Sequence, residues 1–181
     1  REQPDVIGIS IVLQQQMFST MTFCALIKQH FPNIHITIGG TLPREHLEAF
    51  AAHAADYDLR TEWDGEPFDP AVLPEDEPLE LYGTELNGGQ IPEIDAFCAE
   101  HGLPFRRWSG GCLGAYLPEI ILYDGQGPMR DYTASEDEYV LFPPSWINSF
   151  TRLRDLKREM ARAELTIPAF VVTGGASDDH N

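Results

Sequence analysis

The stretch from Pro4 to Gly40, PDVIGISIVLQQQMFSTMTFCALIKQHFPNIHITIGG, constrains the architecture more tightly than any other part of the chain, because it reads as one strand–helix–strand unit. Val6 to Leu13 and Ile34 to Ile38 have the Val/Ile enrichment of strands buried on both faces. Between them Met17, Met21, Cys24, Ile27 and Phe31 recur at helical spacing. The pattern predicts an α/β fold in which the two strands lie adjacent and parallel, joined by a right-handed crossover helix.

Pro43 to Ala55 then reads as a second helix with Leu47, Phe50 and Ala54 on one face, and Tyr57 to Thr61 as a short strand. Trp63 to Pro78 carries four prolines and no periodicity, the mark of a linker or a long surface loop. The second half restarts with a strand over Leu79 to Leu86 and a helix over Ile91 to His101, ended by Gly102. Strand-like pieces follow at Pro104 to Trp108, Glu119 to Tyr123 and Glu138 to Phe142, with Asp124-Gly125 a natural turn. Trp146 to Glu164 reads as a basic helix and Ala169 to Thr173 as a last strand. The expected organisation is a Rossmann-like βαβα half-domain over 1–62, an acidic Pro-rich connection over 63–78, and an α+β region with mixed or antiparallel strands over 79–181.

Charge is the second strong signal. Twelve basic against 29 acidic side chains give −17, and the excess is concentrated. Fourteen acids stand between Asp56 and Glu100 against Arg60 alone. Such a field repels the phosphates of nucleic acids and attracts basic protein surfaces. The sign reverses near the C-terminus, where Arg152, Arg154, Lys157, Arg158 and Arg162 face only Asp155 and Glu159; that helix could answer the acidic stretch within one molecule or between two.

No apolar run approaches the length of a membrane span. Cys24, Cys98 and Cys112 are an odd number without paired spacing, which argues against a disulfide framework or a zinc ribbon and suits a reducing cytoplasm.

In the first third, Ser10-Ile11-Val12 ends one strand and Gly39-Gly40 ends the next, twenty-six residues later. This spacing resembles the later part of the cobalamin-binding domain of cobalamin-dependent mutases, methyltransferases and radical-SAM enzymes, and the segment ADYDLRTEWDGEP looks like the one that closes that domain in the radical-SAM members. The resemblance implies a Rossmann-like fold with a pocket for cobalamin, or a similar nucleotide tail, around Ser10, Gly39 and Gly40. The chain carries neither the family's Asp-x-His-x-x-Gly cobalt-ligand motif nor its Cys-x3-Cys-x2-Cys cluster motif.

In the second half, GGCLG at Gly110 to Gly114 fits the Gly-x-Cys-x-Gly nucleophile elbow of class I glutamine amidotransferases, with Cys112 in the nucleophile's place. The only histidine after it is His180, which leaves a glycine-rich hairpin connection as the competing reading. His46 and His53 lie two turns apart on one helix with no third ligand in the pattern, and Glu75-Asp76-Glu77 lacks the alternating spacing of a calcium loop, so no metal is implied.

The sequence therefore points first to a non-catalytic binding protein, of inhibitor or nucleic-acid-mimic type, that engages a basic protein partner through Asp64, Glu66, Asp69, Glu75, Asp76, Glu77 and Glu80. A cofactor module around Ser10, Gly39 and Gly40 and a Cys112-dependent amidohydrolase are the alternatives. No direct nucleic-acid or membrane contact is expected, and a homodimer could cover an exposed strand edge.

Overall fold

A computed structural model describes residues 33–111 and 116–174. The alternation of Ile34-His35-Ile36-Thr37-Ile38 makes β1 (Ile34–Ile38), in which the three isoleucines are fully buried and His35 and Thr37 turn to the other face. After Gly39 the chain continues as β2 (Gly40–Pro43) and α1 (Arg44–Asp56). It then runs through a long loop into β3 (Leu79–Gly83), α2 (Pro92–Glu100), β4 (Phe105–Ser109), β5 (Glu119–Tyr123) and β6 (Arg130–Thr133). Two helices, α3 (Pro144–Ile147) and α4 (Leu153–Ala163), precede β7 (Phe170–Thr173).

Five strands form one sheet in the order β3-β1-β4-β5-β6, with every neighbouring pair antiparallel. β2 and β7 make a separate parallel pair. One sheet face carries Ile34, Ile36, Ile38, Leu79, Leu81 and Phe105, and packs on Leu47, Phe50 and Ala54 of α1 and Ile94, Phe97 and Cys98 of α2. On the other face Trp108, Ile120 and Leu122 form a smaller cluster with Ala134, against which Tyr132 and Val140 pack. Helix α1 thus buries the face its periodicity predicts.

The proposed strand over Val6 to Leu13 and its crossover helix lie outside the described residues, and Ile34 to Ile38 forms antiparallel pairs, not the expected parallel one, with no edge left free. A strand has two edges, and β1 has both filled along its whole length, by β3 on one side and β4 on the other. Nor is β1 buried on both faces throughout, since His35 and Thr37 stay partly exposed. The error is physical: β-branched enrichment reports burial in a sheet, and says nothing about which strand pairs with which.

Other boundaries shift for local reasons. Tyr57 to Thr61 forms no strand, only single bridges from Arg60 to Pro67 and to Tyr82. Residues 138–142 likewise contribute one bridge, Ala134 to Val140, while the polar segment Arg130–Thr133 takes the place beside β5. It does so because Asp124-Gly125 turns the chain back, with Asp124 Oδ1 accepting the Gln126 N–H at 3.0 Å and Gly125 at φ 87°. The basic helix is broken at 148–152, where Ser149 Oγ donates to the Trp146 carbonyl in place of a helical continuation.

Candidate functional site

The acidic residues sit on a loop fixed to the free edge of the sheet. In that loop, 57–78, Leu59 is 1% exposed and Phe68 and Leu73 pack on the main core, Phe68 meeting Phe50 edge-on. Arg60 and Tyr82 exchange two backbone hydrogen bonds, of 2.9 and 2.8 Å, which tie the loop to β3. At the opposite end of β3, the Glu77 carbonyl accepts the Phe170 N–H of β7 at 2.9 Å. Between these anchors the loop spans the edge of a five-residue strand, roughly 17 Å.

Asp64, Glu66, Asp69, Glu75, Asp76, Glu77 and Glu80 are all exposed along this edge. Asp69 Oδ1 holds the Ala71 N–H and Glu80 accepts the Tyr82 hydroxyl at 3.2 Å. The only Lys or Arg of the acidic stretch, Arg60, is engaged inside the loop: its guanidinium donates to Asp58 at 2.8 Å and to the Gly65 carbonyl at 3.0 Å. Asp58 accordingly raises the Arg60 pKa. Among the described residues no ion pair joins α4 to this stretch; Arg154 and Arg158 pair with Asp155, and Arg162 with Glu159, of their own helix.

An aromatic row runs from the loop onto the sheet. Trp63 contacts Tyr82 with ring centroids 4.8 Å apart, and Tyr82 stacks on His35 at 4.5 Å and 7°. Burial, followed by the charges of Glu80, Glu138 and Glu62, pushes the Tyr82 phenol up to about 12. His35 Nδ1 lies 2.9 Å from Glu138 Oε2, which also accepts from Arg106 at 3.3 Å. Burial opposes ionisation of Glu138, but these two partners outweigh it and hold the carboxyl below its ordinary range. Glu138 then accepts from His35, so Nδ1 carries the ring proton, and Nε2 is buried without a hydrogen-bond partner.

Behind β4 lies a second polar centre. Arg107, 3% exposed, points among the helices and is satisfied there: it donates to both Asp95 oxygens at 3.1 and 2.9 Å, to the Gly89 carbonyl at 2.8 Å and to Ser109 Oγ at 2.5 Å. A cleft of about 270 Å³ opens nearby, lined by Gly88, Gln90, Ser109, Gly110, Leu117 and Glu119 among others.

Of the residues singled out for other chemistry, Ser10, Cys112 and His180 lie outside the described residues. Gly39 and Gly40 are packed against the chain itself. A Cβ at Gly39 would come within 2.0 Å of the Pro168 carbonyl oxygen, and Gly40 has φ 92° with its N–H donated to Ala169. His46 lies against His101, with ring centroids 4.4 Å apart, and His53 against Phe97; among the described residues no three His, Cys, Asp or Glu side chains converge as a metal site. No helix among them is long and apolar enough to cross a membrane.

Tyr82, His35, Glu62 and Glu138 were not legible as a group in the sequence. The alternation in IHITI and LELYG puts His35 and Tyr82 on the face away from the isoleucines, but only the strand pairing places them opposite one another. Comparison with known proteins returned no matching family model, no matching curated protein and no matching solved structure.

Proposed function

We propose that the protein is a non-catalytic acidic binding protein that engages a basic protein partner through the loop along the β3 edge, in the manner of an inhibitor or a nucleic-acid mimic. The observation that carries this reading is the presentation of six exposed carboxylates, Asp64 to Glu77, on a loop held at both ends by backbone hydrogen bonds and underneath by Leu59, Phe68 and Leu73, with a seventh, Glu80, on the adjoining strand β3. Acids on a disordered tail would lose conformational entropy on binding, whereas these are ordered beforehand. With Arg60 engaged by Asp58, the ridge offers negative charge to whatever approaches. A phosphate backbone is repelled, and a Lys- or Arg-rich surface is drawn in at an enhanced rate.

The test is calorimetric binding of a lysine-rich peptide across a salt series. A clustered ridge gives a steep loss of affinity as ionic strength rises, because screening acts within about 10 Å at 0.1 M salt. No binding at low salt, or an affinity indifferent to salt, would remove the reading.

A further inference from the structure

Trp63 is 38% exposed on a loop in which Leu59, Phe68 and Leu73 turn inward and Val72 turns to solvent, and it is the one aromatic residue the loop leaves exposed. Its position is fixed, since its indole meets Tyr82 at an interplanar angle of 56° and Tyr82 is itself held by the parallel His35 ring. Glu62 and Asp64, both exposed, flank it in sequence, and Glu80 is bonded to the hydroxyl of the tyrosine beneath it. The nearest base in sequence, Arg60, is directed to Asp58 and the Gly65 carbonyl instead.

An exposed indole among carboxylates selects its complement on physical grounds. An apolar group placed there would strip water from the carboxylates without pairing them, and an anion would be repelled. A cation gains twice, from the carboxylates and from the negative face of the ring, for which tryptophan is the strongest partner. A guanidinium gains more than an ammonium, because its plane can lie on the indole while its edge donors reach carboxylate oxygens in pairs.

We propose that Trp63, backed by Tyr82 and flanked by Glu62, Asp64 and Glu80, is the seat of an arginine side chain of the basic partner. The proposal rests on the reading of the acidic loop as the interaction surface and names what that surface recognises. The ridge supplies attraction and the indole supplies the preference for arginine over lysine.

Hexa-arginine and hexa-lysine peptides of equal charge separate the two. The parent protein should bind hexa-arginine about two- to fivefold more tightly than hexa-lysine, the worth of one exposed cation–π contact. Trp63→Ala should bring hexa-arginine affinity down to the hexa-lysine level, with hexa-lysine binding, which loses only the weaker ring contact of an ammonium, falling less; its retention also shows that the variant is folded. Trp63→Phe should keep part of the preference. A Glu75→Lys/Asp76→Lys/Glu77→Lys variant should weaken both peptides in parallel and leave their ratio unchanged. Equal affinities in the parent, or a preference undiminished in Trp63→Ala, would overturn the arginine seat and leave the acidic surface standing. Failure of the parent to bind either peptide would overturn both.

Discussion

Tyr82 stands directly across β3 and β1 from His35, and both of its backbone hydrogen-bonding groups go to Arg60 of the acidic loop. The pair is therefore a non-hydrogen-bonded position of the antiparallel ladder, the closer of the two kinds, which lets the rings stack at 4.5 Å. One residue thus anchors the loop by its backbone and carries the aromatic row by its side chain.

Tyr82 should titrate late among the six tyrosines, near the value of about 12 set by burial first and by Glu80, Glu138 and Glu62 after it. Folding favours the neutral phenol, so its contribution to stability is whole below the ordinary tyrosine value near 10 and is lost as pH rises toward 12. Burial, followed by Glu159, also raises Tyr132, so phenolate absorbance should show a late phase that loses amplitude in Tyr82→Phe while the Tyr132 part remains, and whose Tyr82 part moves down in Glu80→Gln. An unchanged titration in Glu80→Gln would mean that the ridge charges are not felt at Tyr82.

The buried pair of Arg107 and Asp95 should behave asymmetrically. Arg107→Leu leaves the Asp95 carboxylate without its charged partner and should cost about 3–5 kcal/mol in denaturant unfolding, whereas adding Asp95→Leu should recover most of the loss. A cost of less than about 1 kcal/mol for the single change would show that water already reaches the pair.

The division between what the residues reveal and what they hide follows the range of the forces involved. Helix α1 was legible because Leu47, Phe50 and Ala54 encode their shared face within a few turns. The exposure of Asp64 to Glu80 was legible because so many like charges cannot be buried. The partners of β1 were not, because Leu81 and Arg107 are chosen by pairing over long separations that local composition does not record. The same holds for Trp63, whose place at the start of a proline-rich loop does not record that strand pairing sets Tyr82 beneath it.

Glu138 should couple folding to acid. Its lowered pKa means that its contribution is present above the ordinary value of 4.5 and is lost as pH falls through the folded-state value. Below about pH 4.5 the parent should lose stability more steeply than Glu138→Gln, which has no such contribution to lose. Parallel curves would show that His35 and Arg106 do not stabilise the charge.

Cys98 is fully buried, and burial raises its thiol well above the ordinary range. In a Cys24→Ser/Cys112→Ser background, iodoacetamide should leave the native protein unlabelled and modify it only in denaturant. Native labelling at the denatured rate would place Cys98 at the surface.

We propose that the carboxylates of the β3 edge form a local recognition surface rather than a general negative field. Two quadruple variants of equal net charge, −9 after eight charges are added to −17, separate these possibilities. One reverses Glu75, Asp76, Glu77 and Glu80 to lysine. The other reverses the exposed Glu45, Glu48, Glu136 and Asp137, which lie outside the loop. Calorimetry with a lysine-rich peptide at low salt should show the first variant losing about tenfold or more in affinity while the second stays close to the parent. Equal losses in the two variants would contradict the claim and reduce the acidic stretch to a source of net charge.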